Sequence, residues 1–257
     1  MIDLPRIIPV LLLKEGGLYK TTQFKDPKYV GDPINAVKVF NEKEVDELIV
    51  LDIDATRNQM EPPYELLYQM AGECFLPLCY GGGVRTIEQV RKIISLGVER
   101  VAINSMAIIQ PDFVKSAADA FGSSTIVVSL DVKLNKKKQY EVFTHGGTRG
   151  TGRRPEEVAI EMNRAGAGEL LLNSIDRDGM MNGYDLALLK TVVAAVDVPV
   201  TISGGAGQLN HLVDAFLLGK ASAAAAGSMF VFHGKNRGVL INYPDHNTLL
   251  QTFSMLA

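Results

Sequence analysis

The sequence predicts an α/β chain closed into a (β/α)8 barrel made of two similar half-barrels. Three observations point there. Short apolar runs rich in β-formers alternate with amphipathic helical stretches along the 257 residues. Most of these runs are continuous rather than alternating, as expected of parallel strands covered on both faces. Segments of the two halves also resemble each other at a fixed offset of 122 residues: 46–54 (DELIVLDID) with 168–176 (GELLLNSID), 77–84 (PLCYGGGV) with 199–206 (PVTISGGA), and 96–105 (LGVERVAINS) with 218–227 (LGKASAAAAG). That period is far too long for a solenoid. Eight strand–helix units in a chain of this length have the size of a closed barrel. An open doubly wound sheet is the competing architecture.

The elements follow in order. The first strand is expected over 7–13, within RIIPVLLLK (6–14), and 15–31 is expected as a long loop containing Gly and Lys. Strands are then expected over 47–53, 77–80, 100–103, 125–131, 169–174, 200–203 and 222–226. Apolar residues at helical spacing place helices over 62–74, 86–96, 111–121, 155–165, 186–196 and 208–218. The charged excursion 134–147 reads as a hairpin after the fifth strand, with Lys136, Lys137 and Lys138 as a solvated tip. The tail 242–257 is expected to hold a final helix that closes the barrel wall. No Pro/Gly/Ser-rich linker divides the chain, so residues 1–257 form one domain with halves of about 1–122 and 123–257.

Composition excludes several functions. Apolar residues make up 47% and charged residues 21%, enough for a sizeable core, and the net charge of −3 gives no general pull toward nucleic acid or an anionic membrane. The run 7–13 is too short to span a bilayer and lacks signal-peptide flanks. Cys74 and Cys79, in a helix and a strand, fit no metal spacing and suit a reduced cytoplasmic core. His145, His211, His233 and His246 show no metal spacing either, and surface or capping roles are their default. No metal and no cofactor are expected.

Two matched glycine-rich turns carry the first chemical signal. Gly81, Gly82 and Gly83 follow a strand and precede the helix near Thr86, while Gly204, Gly205, Ala206 and Gly207 take the same place in the other half. Glycine permits close backbone approach, and a helix N-terminus offers free N–H groups. The next strand of each half ends in Asn104-Ser105 or in Gly227-Ser228. Two such sites suit a ligand with a phosphate at each end.

The segments RIIPV, DELIVLDI, YGGGV, INS, GAGELLLNSIDRDG, GYD and SGGAG together resemble the cyclase subunit of imidazole glycerol phosphate synthase, nearly end to end. The resemblance implies a barrel that works with a glutaminase subunit docked at its N-terminal face. Ammonia released there passes through the barrel and attacks a bisphosphorylated nucleotide derivative, closing an imidazole ring. Asp131 matches the family's second catalytic aspartate, and Lys20 a lysine of the mobile loop after the first strand. Gly83, Asn104 and Ser105 match one phosphate site; Gly179, Gly205, Ala226 and Gly227 match the other, with one extra residue near AAAAGSMF. Asp178 and Asn173 are placed in the pocket; Asp52 either joins them or caps a loop. Arg6, Glu47, Arg100 and Glu169 match the charged ring that gates ammonia entry. Each begins its strand, where the four can converge as two pairs of opposite sign.

One position departs from the family. Its first catalytic aspartate is replaced here by Leu12, and the next acidic position survives only as Glu15. The internal repeat shows the same asymmetry: at the 119-residue offset that superposes Lys14 on Lys133, Leu12 falls on Asp131. Ring closure needs one group to give a proton and another to take one, and leucine does neither. Three readings stay open. The chain is a divergent paralogue that conducts ammonia, serving a glutaminase and a third amidotransferase that makes an acetamidino sugar for surface polysaccharide. It is still a cyclase of histidine biosynthesis, helped by Glu15 or Lys20. Or it is a non-catalytic barrel that binds a phosphorylated metabolite.

Overall fold

The computed structural model describes residues 4–234 and 236–254. Eight strands run parallel: β1 (Arg6–Lys14), β2 (Leu48–Asp52), β3 (Leu78–Gly81), β4 (Arg100–Ile103), β5 (Ile126–Leu134), β6 (Glu169–Ser174), β7 (Val200–Ser203) and β8 (Ala223–Ala226). Each pairs with its successor, and β8 pairs with β1, so the sheet closes into a (β/α)8 barrel. Closure removes the open-sheet alternative, because no edge is left among these eight strands.

Helices α1 (Pro33–Glu42), α2 (Tyr64–Glu73), α3 (Ile87–Ser95), α4 (Pro111–Phe121), α5 (Pro155–Arg164), α6 (Leu186–Val193), α7 (Leu209–Leu217) and α8 (His246–Phe253) surround it. Their starts are chemically marked. Asp32, Asp185 and Asp245 accept backbone N–H bonds at the caps of α1, α6 and α8, and Thr86 with Gln89 closes a capping box on α3. The expected strand 47–53 is shortened to Leu48–Asp52, which leaves Glu47 just before β2 at the barrel floor.

Strand alternation splits the core in two. Outward residues such as Ile7, Leu11, Leu13, Val50, Val101, Val128 and Leu170 pack under the helices. Inward residues Ile8, Val10, Ile49, Cys79, Ala102, Val127, Leu171, Ala223 and Ala225 fill the lumen, with Leu12 and Leu51 above them. Both faces of each strand are therefore apolar, which explains the continuous runs. Each fully buried aliphatic side chain contributes about 1.5–3 kcal/mol.

The segment 15–31 differs from expectation. It is a hairpin of Gly17–Thr22 and Lys25–Gly31, added antiparallel to β1 with Leu12 opposite Tyr19. Both of its connections are two-residue turns with positive φ: Glu15 (50°) with Gly16 (77°), and Gln23 (52°) with Phe24 (60°). Such mirror-image turns match strand twist. The Gln-Phe turn carries neither Asn nor Gly, so its sequence gives no sign of it. Over 134–147 a hairpin does form, with Tyr140–Thr144 pairing back on β5 and the three lysines exposed between.

Candidate functional site

The C-terminal ends of the strands surround a cavity of about 400 Å³. Register decides what enters it. Because Arg6, Ile8 and Val10 point inward, Leu12 does too; pairing carries the same inward phase to Leu51, Gly81, Ala102, Ser129, Asp131, Asn173 and Ser203. All of them line the cavity.

The two halves present matched backbone cradles. Gly82 and Gly83 have φ of +125° and +70°, and Gly204 and Gly205 have +87° and +117°. A Cβ on Gly82 would stand 2.6 Å from the Asp52 carbonyl oxygen, so only glycine fits. Beyond β4 and β8 the chain turns alike: Asn104 has φ −106°, ψ −83° and Gly227 has φ −107°, ψ −71°, each opening a short helix (Ser105–Ile109 and Ser228–Val231) with no side-chain cap. Some of the expected donors at α3 are engaged within the protein. Its Gln89 Oε1 accepts the Arg85 and Thr86 amides, and the Gln89 amide donates to Thr86 Oγ1. At the other turn the Gly207 amide donates to His211 Nδ1. Within the first glycine turn the Gly83 amide donates to Thr56 Oγ1 at 3.2 Å. The candidate phosphate residues Gly82, Gly83, Asn104 and Ser105 line one side; Gly179, Gly204, Gly205, Ala226 and Gly227 line the other.

Asp52, Asp131 and Asp178 are the carboxylates lining the cavity among the described residues. Two are committed elsewhere. Asp52 accepts the amides of Asp54 and Ala55 through Oδ1, capping its own loop. Asp178 Oδ2 accepts Thr21 Oγ1–H at 2.6 Å and the Phe24 amide at 3.2 Å, fastening the 17–31 hairpin over the mouth. Asp131 remains. Burial raises its pKa to about 7, against the lowering effect of Asn173 and Ser129. Asn173 Oδ1 itself is buried without a partner.

The sign of that shift gives a stability test. The unfolded carboxyl ionises near 3.8 and the folded one near 7. As pH rises between these values the unfolded chain loses a proton that the native chain keeps, so stability falls across that window and stays lower above it. Asp131→Asn is expected to raise Tm at pH 8 and to leave it unchanged below pH 4. Equal melting curves at pH 8 would contradict the buried neutral acid.

Lys20 lies on the first strand of the hairpin, Gly17–Thr22. It is 4% exposed, its Nζ donates to the Val10 carbonyl, and a Cβ on Gly227 would stand 2.6 Å from that nitrogen. Burial lowers its pKa to about 8, while Asp178 opposes the shift. Glu15 does not reach the cavity. Its carboxylate bonds the Lys14 ammonium at 2.8 Å with 71% of the side chain exposed, because the turn it occupies points it outward. The structure thus corrects Glu15 as a helper of Asp131.

At the opposite end the charged quartet converges. Arg6 Nη2 donates to both oxygens of Glu169 (3.0 and 2.9 Å), and Arg100 bridges Glu47 (3.1 Å) and Glu169 (2.6 Å). Arg6 and Glu47 stand 3.6 Å apart, completing the ring. Thr201 Oγ1–H also bonds Glu169. Burial raises both carboxyl pKa values; at Glu169 Arg100, Thr201 and Arg6 outweigh it, so its pKa falls. Glu47 has more distant arginine contacts and feels the Glu169 charge, so its pKa stays raised. Above the ring the lumen is lined mainly by apolar side chains up to the cavity.

Arg57, His145 and Arg149 also line the cavity and escaped the sequence reading. The sequence suggests a surface or capping role for His145; instead it stands at the mouth, its amide donating to Ser105 Oγ at 2.9 Å. The internal repeat held a sign of Arg57, since the 122-residue offset superposes it on Gly179 of the second cradle.

Comparison with known proteins finds a family model described as "Histidine biosynthesis protein" matching residues 6–236. A Pseudomonas aeruginosa protein provisionally named imidazole glycerol phosphate synthase subunit hisF2 is 54% identical over 244 residues, 95% of this chain and 97% of the relative. A Leptospira borgpetersenii protein provisionally named subunit HisF of the same synthase is 48% identical, covering 94% and 95%. A Vibrio vulnificus protein provisionally named subunit hisF3 is 48% identical, covering 93% and 92%.

Proposed function

This chain belongs to the histidine biosynthesis protein family as a barrel subunit of the imidazole glycerol phosphate synthase type, and from that premise we propose that it works chiefly as an ammonia conduit. In this reading a glutaminase subunit docks at the barrel floor around Arg6, Glu47, Arg100 and Glu169. Ammonia passes the ring, crosses the apolar lumen as the neutral molecule and leaves at the cavity. Its acceptor is a third amidotransferase that builds an acetamidino sugar for surface polysaccharide. The glycine cradles hold a bisphosphorylated ligand that the barrel turns over poorly or not at all.

One observation carries the reading: the ring at the floor is complete, whereas Leu12 stands at the mouth where Asp131 needs a partner. No lining carboxylate among the described residues is free to replace it, because Asp52 and Asp178 are engaged by backbone and hairpin. A second reading draws on Lys20. A buried amine with a pKa of about 8 is suited to proton transfer near neutrality, and it supports retained cyclase activity.

Mixing the chain with a glutaminase subunit of the family tests the conduit. Glutamine hydrolysis is expected to rise, with little bisphosphate substrate consumed. No complex and no stimulation would leave the barrel without a nitrogen source and contradict the proposal. Ring closure that depends on Lys20 would favour the second reading.

A further inference from the structure

We infer that Phe75 is an aromatic anchor for the glutaminase at the barrel floor, and that this partner meets it with an apolar pocket edged by basic side chains. This rests on the reading that a glutaminase docks around the charged ring, and it names a contact that gives the docking its affinity.

Phe75 is 84% exposed, more than any other large apolar side chain among the described residues. Its surroundings explain why. Helix α2 ends at Glu73, and Cys74 leaves it in extended conformation (φ −105°, ψ 109°). Cys74 and Leu76 pack against the core, which leaves Phe75 between them facing outward. The backbone here is held from both sides. The Phe75 amide donates to Asn41 Oδ1 at 3.0 Å, and Cys74 Sγ–H donates to the Leu76 carbonyl at 3.4 Å. The phenyl group is therefore carried on a fixed stem and loses little freedom on binding.

Its place joins it to the charged ring. Phe75 stands three residues before β3, the strand between β2 and β4. The Pro77 carbonyl accepts the amide of Leu48, next to Glu47. The Leu78 carbonyl accepts the amide of Glu99, next to Arg100. Phe75 thus occupies the sector of the floor between two members of the ring. The ring is open to solvent, with 40% of the Arg6 side chain exposed. A subunit that delivers ammonia there has to exclude water around it, and an apolar contact at its edge does so.

The charge beside Phe75 is acidic. Glu44 belongs to the turn of Asn41, whose carbonyl accepts its amide. Glu99 lies close to Cys74: burial raises that thiol's pKa and the Glu99 charge adds to it. Neither glutamate forms an ion pair among the described residues, whereas Lys38 is matched by Glu73 at 3.2 Å. Lys43 is the exposed cation of the same turn, and Glu44 and Glu99 outweigh it. A basic edge on the partner complements this surface.

Calorimetric titration of the full chain with a purified glutaminase subunit of the family tests this. Phe75→Ala is expected to raise Kd at least about tenfold while the Tm of the free chain stays the same. Phe75→Leu is expected to recover part of the loss, because an apolar side chain still fills the pocket. Tyr68→Ala removes the other exposed aromatic of this region, 62% exposed in the middle of α2, and is expected to change Kd less than about twofold. Glu99→Lys is expected to weaken binding at low salt and to matter less at high salt. A Kd unmoved by Phe75→Ala, or moved as much by Tyr68→Ala, overturns the anchor and leaves the docking reading standing. Binding that Glu99→Lys leaves equal or tighter at low salt overturns the basic edge. If the wild-type chain binds no glutaminase, the docking reading fails and this one with it.

Discussion

Replacing Leu12 by aspartate is expected to raise ammonia-dependent ring closure by about 10²–10⁴-fold, the usual contribution of one positioned acid–base group. Leu12 points into the cavity from the end of β1, two residues above Val10, whose carbonyl holds Lys20. A carboxylate there gains a nearby ammonium and shares the cavity with Asp131, whose raised pKa keeps one acid protonated near neutrality. Two carboxyl groups in one apolar pocket titrate apart, which supplies both a donor and an acceptor. The glycine cradles are untouched, so the gain is expected in kcat with KM for the bisphosphate substrate nearly constant. Folding is expected to suffer little, since Leu12 is only partly buried and opens onto the cavity. A folded, ligand-binding Leu12→Asp protein with no gain would mean that more than one proton-transfer group has been lost.

The second large effect is expected at the barrel floor. Glu169 accepts from Arg6, Arg100 and Thr201 with only 4% of its side chain exposed, and Arg100 is 15% exposed. Glu169→Ala leaves two guanidinium groups against the single carboxylate of Glu47. Breaking a buried pair from one side costs about 3–5 kcal/mol, much of it from the charge left behind. Two readouts separate structure from transport. Thermal denaturation is expected to show a fall of several degrees. Coupled assays with the glutaminase are expected to lose transfer of glutamine nitrogen, while ammonia added directly to the cavity side is still accepted. Glu169→Gln keeps the shape and most hydrogen bonds, so it separates loss of charge from loss of fold. The lowered Glu169 pKa adds a pH dependence: its stabilisation is present above the unfolded value near 4.5 and is lost as pH falls through the lower folded value. Coupled transfer that withstands Glu169→Ala would remove the ring from the route of ammonia.

Much of this was legible in the sequence because strand period and barrel closure act together. The charges at the starts of β1, β2, β4 and β6 share one inward phase, so their convergence follows from counting residues along each strand. The paired glycine cradles were legible because the half-barrels repeat at a constant offset. Other features were not. The hairpin at 17–31 depends on mirror-image turns made with Glu15, Gln23 and Phe24, residues without an intrinsic preference for positive φ. Tertiary bonds hold it instead, notably from Thr21 and Phe24 to Asp178 more than 150 residues away. Burial of Lys20 follows from that docking and from nothing local. The α3 N-terminus looked free because a Thr-Ile-Glu-Gln start reads equally as an anion site and as a capping box, and the local box prevailed. Arg57 and Arg149 meet only through the packing of Gly146, a contact between loops that no short motif encodes.

The most direct measurement is turnover of the bisphosphate cyclase substrate by the purified wild-type chain with saturating ammonium salt at pH 8, beside the Leu12→Asp protein. The expected result is turnover at least about 10²-fold below that of Leu12→Asp, with both proteins binding the substrate alike. Sustained wild-type turnover, equal to or above that of the aspartate variant, would contradict the account, because the leucine at the mouth would then be no obstacle to closing the ring.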